Sequence, residues 1–79
     1  MLLLSKDAYL WRLGRRIYAR RFDLEMTQNQ LAILTDLSRV TINNIEHGRF
    51  AVSIYDLALI ADKLQTNVKD LVPYELTPP

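Results

Sequence analysis

Between positions 39 and 47 the chain carries polar side chains at the spacing of one exposed helix face. A helix that begins after Ser38, a favourable N-cap residue, turns by about 100° per residue. Ile42 and Ile45 then share one face. The opposite face carries Val40, Asn43, Asn44 and His47, and Arg39 projects from the first turn. This helix therefore presents hydrogen-bonding groups outward while it buries two isoleucines.

These side-chain types suit the edges of DNA base pairs. Arg39 can donate two hydrogen bonds to guanine O6 and N7, and Asn43 or Asn44 can pair in the same bidentate way with adenine N6 and N7. The methyl groups of Val40 can pack on a thymine methyl. Each good bidentate contact discriminates between bases by roughly 1–3 kcal/mol. From this helix alone, an exposed face whose polar residues contact only water is an equally good interpretation.

The preceding segment predicts a second helix, joined to the first by a sharp turn. Thr27-Gln28-Asn29-Gln30 matches the capping box, in which the first and fourth side chains satisfy backbone N–H groups reciprocally. Asp36 stands at the turn, where it tolerates a left-handed conformation better than most residues. Inward positions are Leu31, Ala32 and either Leu34 or Thr35. The sequence thus predicts a helix-turn-helix over about residues 28–46, with its second helix over about 39–47, which favours DNA reading over an inert surface helix.

The remaining residues predict three further helices and an all-α, five-helix domain. Helix 1 is expected over about residues 7–22, capped by Ser5 or Asp7, with the buried stripe Leu10, Leu13, Gly14 and Ile17. Gly14 is explained either by close approach of another helix or by mere tolerance of glycine. Helix 4 is expected over about 53–64, with Ser53 as cap and the buried stripe Leu57, Ile60, Ala61 and Leu64. Asn67 caps a short helix over 68–71, which Pro73 ends.

Composition narrows the class of protein. The 79 residues suffice for one domain, with a core over about residues 7–72 between a short arm and a tail. No cysteine and one histidine exclude disulfides and an ordinary zinc site, and make the cytoplasm the natural compartment. The apolar residues 2–4 are too few for a signal peptide or a membrane span. Without a nucleophile–base pair or a glycine-rich phosphate loop, no enzyme activity, metal or cofactor is expected.

The net charge of +1 conceals an uneven distribution. Residues 1–49 carry eight Lys and Arg against five Asp and Glu, hence +3, whereas residues 50–79 carry two against four, hence −2. Five arginines fall between Arg12 and Arg21. They form either a solvated helix face or a flank that faces phosphate groups.

Taken together, these motifs resemble the lambda-repressor-like, or Xre-type, helix-turn-helix family over about residues 10–72. The matching residues are Leu13-Gly14-x-x-Ile17, Met26-Thr27-Gln28, Leu31-Ala32, Leu37-Ser38-Arg39, Thr41-Ile42, Ile45-Glu46-x-Gly48 and Leu57-x-x-Ile60-Ala61-x-x-Leu64. The resemblance implies a five-helix bundle that binds double-stranded DNA, usually as a homodimer on a palindromic operator. Helix 3 would be the recognition helix.

The resemblance also implies roles for single residues. Gln28 matches a position that clamps a phosphate, where a helix N-terminus favours an anion independently. Base-reading positions are matched by Arg39, Val40 and Asn44, with Thr41 and Asn43 at the border between bases and backbone. His47 and Arg49 match a loop that touches phosphate. Arg21 and Glu46 match a structural salt bridge between helices 1 and 3.

Glycine is usual in the family at three positions where this chain has Glu25, Asp36 and Gln65. Those positions often need a positive φ. Asp36 is expected to adopt it, whereas Glu25 and Gln65 are expected to form slightly different turns.

A homodimer has separate support from helix 4 and the loop before it. Tyr55 and Leu59 lie off the buried stripe, and with Phe50 and Val52 they can form a self-complementary patch. Scattered exposed apolar residues are the alternative, since such residues are common on protein surfaces.

The leading prediction for function is a sequence-specific transcriptional regulator, bacterial or phage-encoded. The spacing from Gly48 to Ser53 resembles that of restriction–modification controller proteins, and small phage-type repressors are equally compatible. The alternative is an antitoxin that neutralises a toxin through the apolar residues 2–4 and 72–74 and binds its own promoter.

Overall fold

The computed structural model describes residues 4–73, and these residues form five α-helices and no strand. The helices are α1 (Lys6–Asp23), α2 (Gln28–Thr35), α3 (Arg39–Glu46), α4 (Ile54–Lys63) and α5 (Val68–Leu71). The predicted all-α class is confirmed, and every predicted helix lies within about two residues of its observed bounds. Within the same residues, no helix is long and apolar enough to cross a membrane.

Each helix begins after a side chain that accepts a hydrogen bond from the backbone N–H three residues later, at 3.0–3.2 Å. The caps are Ser5, Thr27, Ser38, Ser53 and Asn67. At α2 the bond is reciprocal, because the Gln30 side chain accepts from the Thr27 N–H at 2.8 Å. Ser5, and not Asp7, caps α1. A cap of this kind is worth about 1 kcal/mol, which explains why local signals predict the helix starts so well.

Three helices are followed by a residue other than glycine in the left-handed conformation, and α3 is followed by Gly48 with a φ of 69°. Glu25, Asp36 and Gln65 have φ values of 55°, 57° and 58°. The expectation is confirmed for Asp36, but the expectation that Glu25 and Gln65 form different turns is wrong. In each case the next residue donates its N–H to the carbonyl oxygen five residues back, at 3.0–3.1 Å. This closure satisfies helix-end carbonyl groups, which offsets the roughly 1–2 kcal/mol cost of a left-handed residue that is not glycine.

The core lies where all five helices meet. Its fully buried apolar side chains are Ile17, Leu31, Ile42, Ile60, Leu64 and Leu71. Of the two alternatives for the further inward residue of α2, Thr35 is buried and Leu34 is exposed. The Thr35 hydroxyl donates to the Leu31 carbonyl oxygen at 2.8 Å. The core therefore holds α2 and α3 against α1 and α4, and fixes the direction in which α3 faces solvent.

α1 and α3 approach each other closely at Gly14. A Cβ atom at this position would lie 2.5 Å from the Ile45 carbonyl oxygen, and nearer still to that of Glu46. These are backbone atoms, which cannot rotate away. Close helix approach, and not tolerance, therefore explains the glycine in the buried stripe of α1.

Candidate nucleic-acid interface

α3 has one buried and one exposed face. Ile42 and Ile45 are buried in the core, whereas Val40 is 61% exposed and Arg39 is exposed in the first turn. Asn44 is half-buried, and its Oδ1 accepts a hydrogen bond from Arg49 Nη1 at 3.2 Å. The helix thus offers one cationic, one apolar and one amide side chain on the side away from the core.

Glu46, the last residue of α3, is a fully buried carboxylate. Arg21 Nε and Nη2 donate to its two oxygens at 2.7 and 2.9 Å, which makes a bidentate salt bridge between α1 and α3. The hydrogen bond with Glu46 is the main cause that raises the pKa of Arg21, against the lowering effect of burial. The guanidinium is therefore firmly charged at neutral pH, and it locks the orientation of α3 against α1.

Gln28 lies at the start of α2 and is joined to this salt bridge. Its Nε2 donates to Glu46 Oε1 at 3.1 Å. A side-chain amide nitrogen carries two N–H groups, so a second donor remains for a ligand. Glu46 thereby orients the residue expected to clamp phosphate at the N-terminus of the neighbouring helix.

Short-range bonds organise the residues at both ends of α3. His47 Nδ1 lies 2.8 Å from the Asn43 carbonyl oxygen, and the Thr41 and Ser38 hydroxyls are 2.9 Å apart. His47 and Arg49 are exposed and Thr41 is half-buried. These three expected phosphate contacts border the exposed face of α3.

Asn43 is placed differently from Asn44. Its Oδ1 is buried and has no hydrogen-bond partner among the described residues. A bidentate contact with adenine uses both the oxygen and the nitrogen of the amide. Asn43 therefore has to turn its amide outward before it reads a base, which sets it apart from Arg39, Val40 and Asn44.

Four of the five arginines in the cluster have a structural role that neither interpretation gave them. Arg15, Arg16, Arg20 and Arg21 donate side-chain N–H groups to backbone carbonyl oxygens at 2.6–2.9 Å. The acceptors are Glu46, Val72, Leu64, Gln65 and Met26, most of which lie at the ends of α3, α4 and α5. Cations at C-terminal helix ends satisfy free carbonyl groups and the helix dipole. Sequence reasoning missed this role because it depends on which helix ends lie beside α1.

A groove runs between the end of α1, the start of α2 and the first turn of α3. Its lining includes Phe22, Thr27, Gln28, Asn29 and Arg39. The lining carries Arg21 and Arg39 as well as the carboxylates of Asp23 and Glu25, so an anion is favoured at the α2 N-terminus and beside Arg39 and not along the whole groove. Phe22 was not singled out from the sequence, although it follows the spacing of other aromatic residues on α1.

The expected dimer patch is divided between exposed and packed residues. Tyr55 is 74% exposed and Phe50 is exposed, whereas Leu59 is half-buried and Val52 packs against the core. Ile54, which the sequence interpretation left out, is 77% exposed. The patch offered to a partner therefore centres on the first turn of α4 and the loop before it.

The fold, the sharp turn and the outward face of α3 define a helix-turn-helix DNA-binding domain. Residues 17–71 match the helix-turn-helix family. Since this is most of the chain, the protein belongs to that family, and the predicted Xre-type resemblance and its DNA-binding, regulatory character are confirmed.

Solved structures give closely similar folds. The restriction-modification controller protein C.AhdI from Aeromonas hydrophila is 28% identical, with a TM-score of 0.79 over 81% of this chain and 97% of that one. The DNA-binding domain of BldD is 25% identical, with a TM-score of 0.78 over 89% and 100%. Hydroxypropylphosphonic acid epoxidase from S. wedmorenis also has a TM-score of 0.79, over 87% of this chain but 36% of the enzyme. At 24% identity, that likeness shows the fold alone. No curated protein matches the chain.

Proposed function

We propose that this protein is a sequence-specific transcriptional regulator that binds a palindromic operator as a homodimer. One observation carries the proposal: α3 buries its isoleucines and is locked by Glu46, so that Arg39, Val40 and Asn44 point outward from a rigid support. A helix held in this way enters the major groove with its reading side chains already positioned, which reduces the entropy lost on binding.

The proposed roles divide between specificity and affinity. Arg39, Val40 and Asn44 read base edges, and Asn43 joins them once its amide has turned outward. Gln28, Thr41, His47 and Arg49 hold phosphate groups, which set the register without reading sequence. Because these contacts release counterions, affinity falls steeply as the salt concentration rises.

The proposed dimer forms through Phe50, Tyr55 and Leu59, with Val52 beneath them and Ile54 added at the edge. A twofold axis at this patch would place two copies of α3 in successive major grooves, about one helical turn apart. The likeness to C.AhdI, a restriction-modification controller protein, supports a regulator of this size class. The antitoxin alternative needs an exposed apolar surface at residues 72–74, but Val72 packs against the core and Pro73 is buried. Residues 2, 3 and 74 lie outside the described residues.

The test begins with selection of binding sites from random DNA, which we expect to yield a palindrome with half-sites about 10–10.5 bp apart. Arg39→Ala should then weaken operator binding by about 1–3 kcal/mol and relax the preference at one position in each half-site, measured by fluorescence anisotropy with single-base variants. Gln28→Ala should weaken binding to every sequence alike, which makes it the matched control. Unchanged affinity and base preference in Arg39→Ala would overturn the assignment of α3.

A further inference from the structure

An aromatic stripe runs along α1 outside the core. It consists of Trp11, Tyr18 and Phe22, all exposed and spaced so that they share one side of the helix. The Tyr18 and Phe22 rings stack with their centroids 6.2 Å apart, and Phe22 is 67% exposed. None of the three rings belongs to the core or packs against it.

Within the described residues, one arginine without a carboxylate partner, Arg15, lies against the stripe, beside Arg21, which is paired with Glu46. The Arg15 guanidinium lies 4.6 Å from the centroid of the Trp11 ring and 4.9 Å from that of Tyr18, and Arg21 lies 5.2 Å from Tyr18. Among residues 4–73 no carboxylate forms a salt bridge with Arg15, and its Nε is buried without a hydrogen-bond partner. An apolar partner would strip water from this uncompensated charge, whereas a polyanion with apolar groups complements it.

The stripe borders the candidate nucleic-acid interface at both ends. At one end Phe22 lines the groove that also contains Gln28, Asn29 and Arg39. At the other end Trp11 lies against the turn after α3, since a Cβ atom on Gly48 would be 2.9 Å from the Trp11 Cα. The stripe thus runs along α1 from the groove at the start of α2 to the turn after α3.

We propose that the aromatic stripe is a sequence-independent DNA contact. Phe22 and Tyr18 pack on the deoxyribose groups next to the phosphate at the α2 N-terminus, while Arg15 supplies positive charge beneath the rings of Trp11 and Tyr18. This inference rests on the proposed function and extends the interface from α2 and α3 to α1. It assigns exposed aromatic residues to affinity and leaves base specificity with α3.

The test compares Phe22→Ser with Ile33→Ser, a matched change at a residue of α2 that is 72% exposed and lies outside the DNA-facing groove. Affinity is measured by anisotropy for the selected operator and for a scrambled duplex of equal length. Phe22→Ser should weaken both by a similar factor, about five- to tenfold, because the lost apolar contact is independent of sequence. Ile33→Ser should leave both unchanged, and urea unfolding of each variant checks that the fold is intact.

The tryptophan supplies a second readout. The chain has one tryptophan, so a change in the fluorescence of Trp11 on adding the scrambled duplex reports contact at the stripe. We expect quenching in the wild type and also in Arg39→Ala, because that substitution does not touch the stripe.

If Phe22→Ser binds the operator at full strength and Trp11 shows no response, the proposed role of the stripe is overturned while the proposed function stands. Weakened self-association in Phe22→Ser with unchanged DNA affinity assigns the stripe to a protein contact and overturns the proposal. Failure of the wild type to bind any duplex overturns both.

Discussion

Glu46 joins three parts of the molecule at the level of single residues. Its carboxylate accepts two hydrogen bonds from Arg21 and one from Gln28, and its backbone carbonyl accepts one from Arg15 at 2.6 Å. A fully buried carboxylate is stable only when it is paired and hydrogen-bonded. One residue therefore couples the orientation of α3 to α1 and to the start of α2.

Replacing this carboxylate should be costly. Glu46→Gln keeps the volume but leaves the Arg21 guanidinium without its counter-charge, and we expect a loss of about 3–5 kcal/mol in the free energy of unfolding. Urea unfolding followed by circular dichroism measures it. The control is Asp62→Asn, which removes an exposed carboxylate 3.8 Å from Lys63 and should cost only about 0–1 kcal/mol. Equal effects of the two substitutions would mean that the buried salt bridge does not hold α3 in place.

At the scale of elements, α1 contributes to the core and also donates side-chain hydrogen bonds to the neighbouring helices. Its glycine lets α3 approach, and its arginines satisfy carbonyl groups at the ends of α3, α4 and α5. Those carbonyl groups have no partner within their own helices. The packing of α1 thus fixes the relative positions of the other helices without further connections.

Gly14→Ala tests how tightly α1 and α3 are packed. Alanine is favoured over glycine in a helix by about 1 kcal/mol, so helix propensity alone predicts a gain in stability. The added Cβ would meet the carbonyl groups of Ile45 and Glu46, and overpacking of this kind costs about 1–3 kcal/mol. We expect a net loss, seen as a lower urea midpoint. Ala19→Gly, at an exposed position of the same helix, calibrates the propensity contribution. A more stable Gly14→Ala variant would contradict the close approach.

At the scale of the whole molecule, charge and apolar surface are segregated along the chain. The +3 half contains the helix-turn-helix, and the −2 half contains the exposed patch of α4. A single small domain has limited core, so association through that patch would add stability as well as place two reading helices on one DNA.

Tyr55→Lys should weaken the homodimer. In a twofold interface each substitution appears twice, so two lysines would face each other and repel. Tyr55 is preferable to Leu59 because it is exposed, whereas a lysine at half-buried Leu59 would also disturb packing. Sedimentation velocity over a range of concentrations should show a shift toward monomer, with weaker operator binding in parallel. Ile33→Lys on α2 is the control, and wild-type sedimentation of Tyr55→Lys would move the interface elsewhere.

Most of the fold was predictable because its signals are local. Caps such as Thr27 and Ser38 act within three residues, and the stripes of α1 and α4 repeat within two turns. The left-handed turns at Glu25 and Gln65 were not predictable, since the side chain there disfavours the conformation that helix closure imposes. The outward face of α3 followed from periodicity, but the buried oxygen of Asn43 did not.

The sequence by itself determined five helices, their starting points, and which face of α3 carries Arg39, Val40 and Asn44, because each depends on residues within one or two helical turns. Only the tertiary structure decided that the arginines of α1 cap other helices, that Glu46 holds Gln28, and that the aromatic stripe borders the recognition helix. The partners in these hydrogen bonds are separated by 18 to 56 residues along the chain. Their contact follows from how helices pack, which no local pattern encodes.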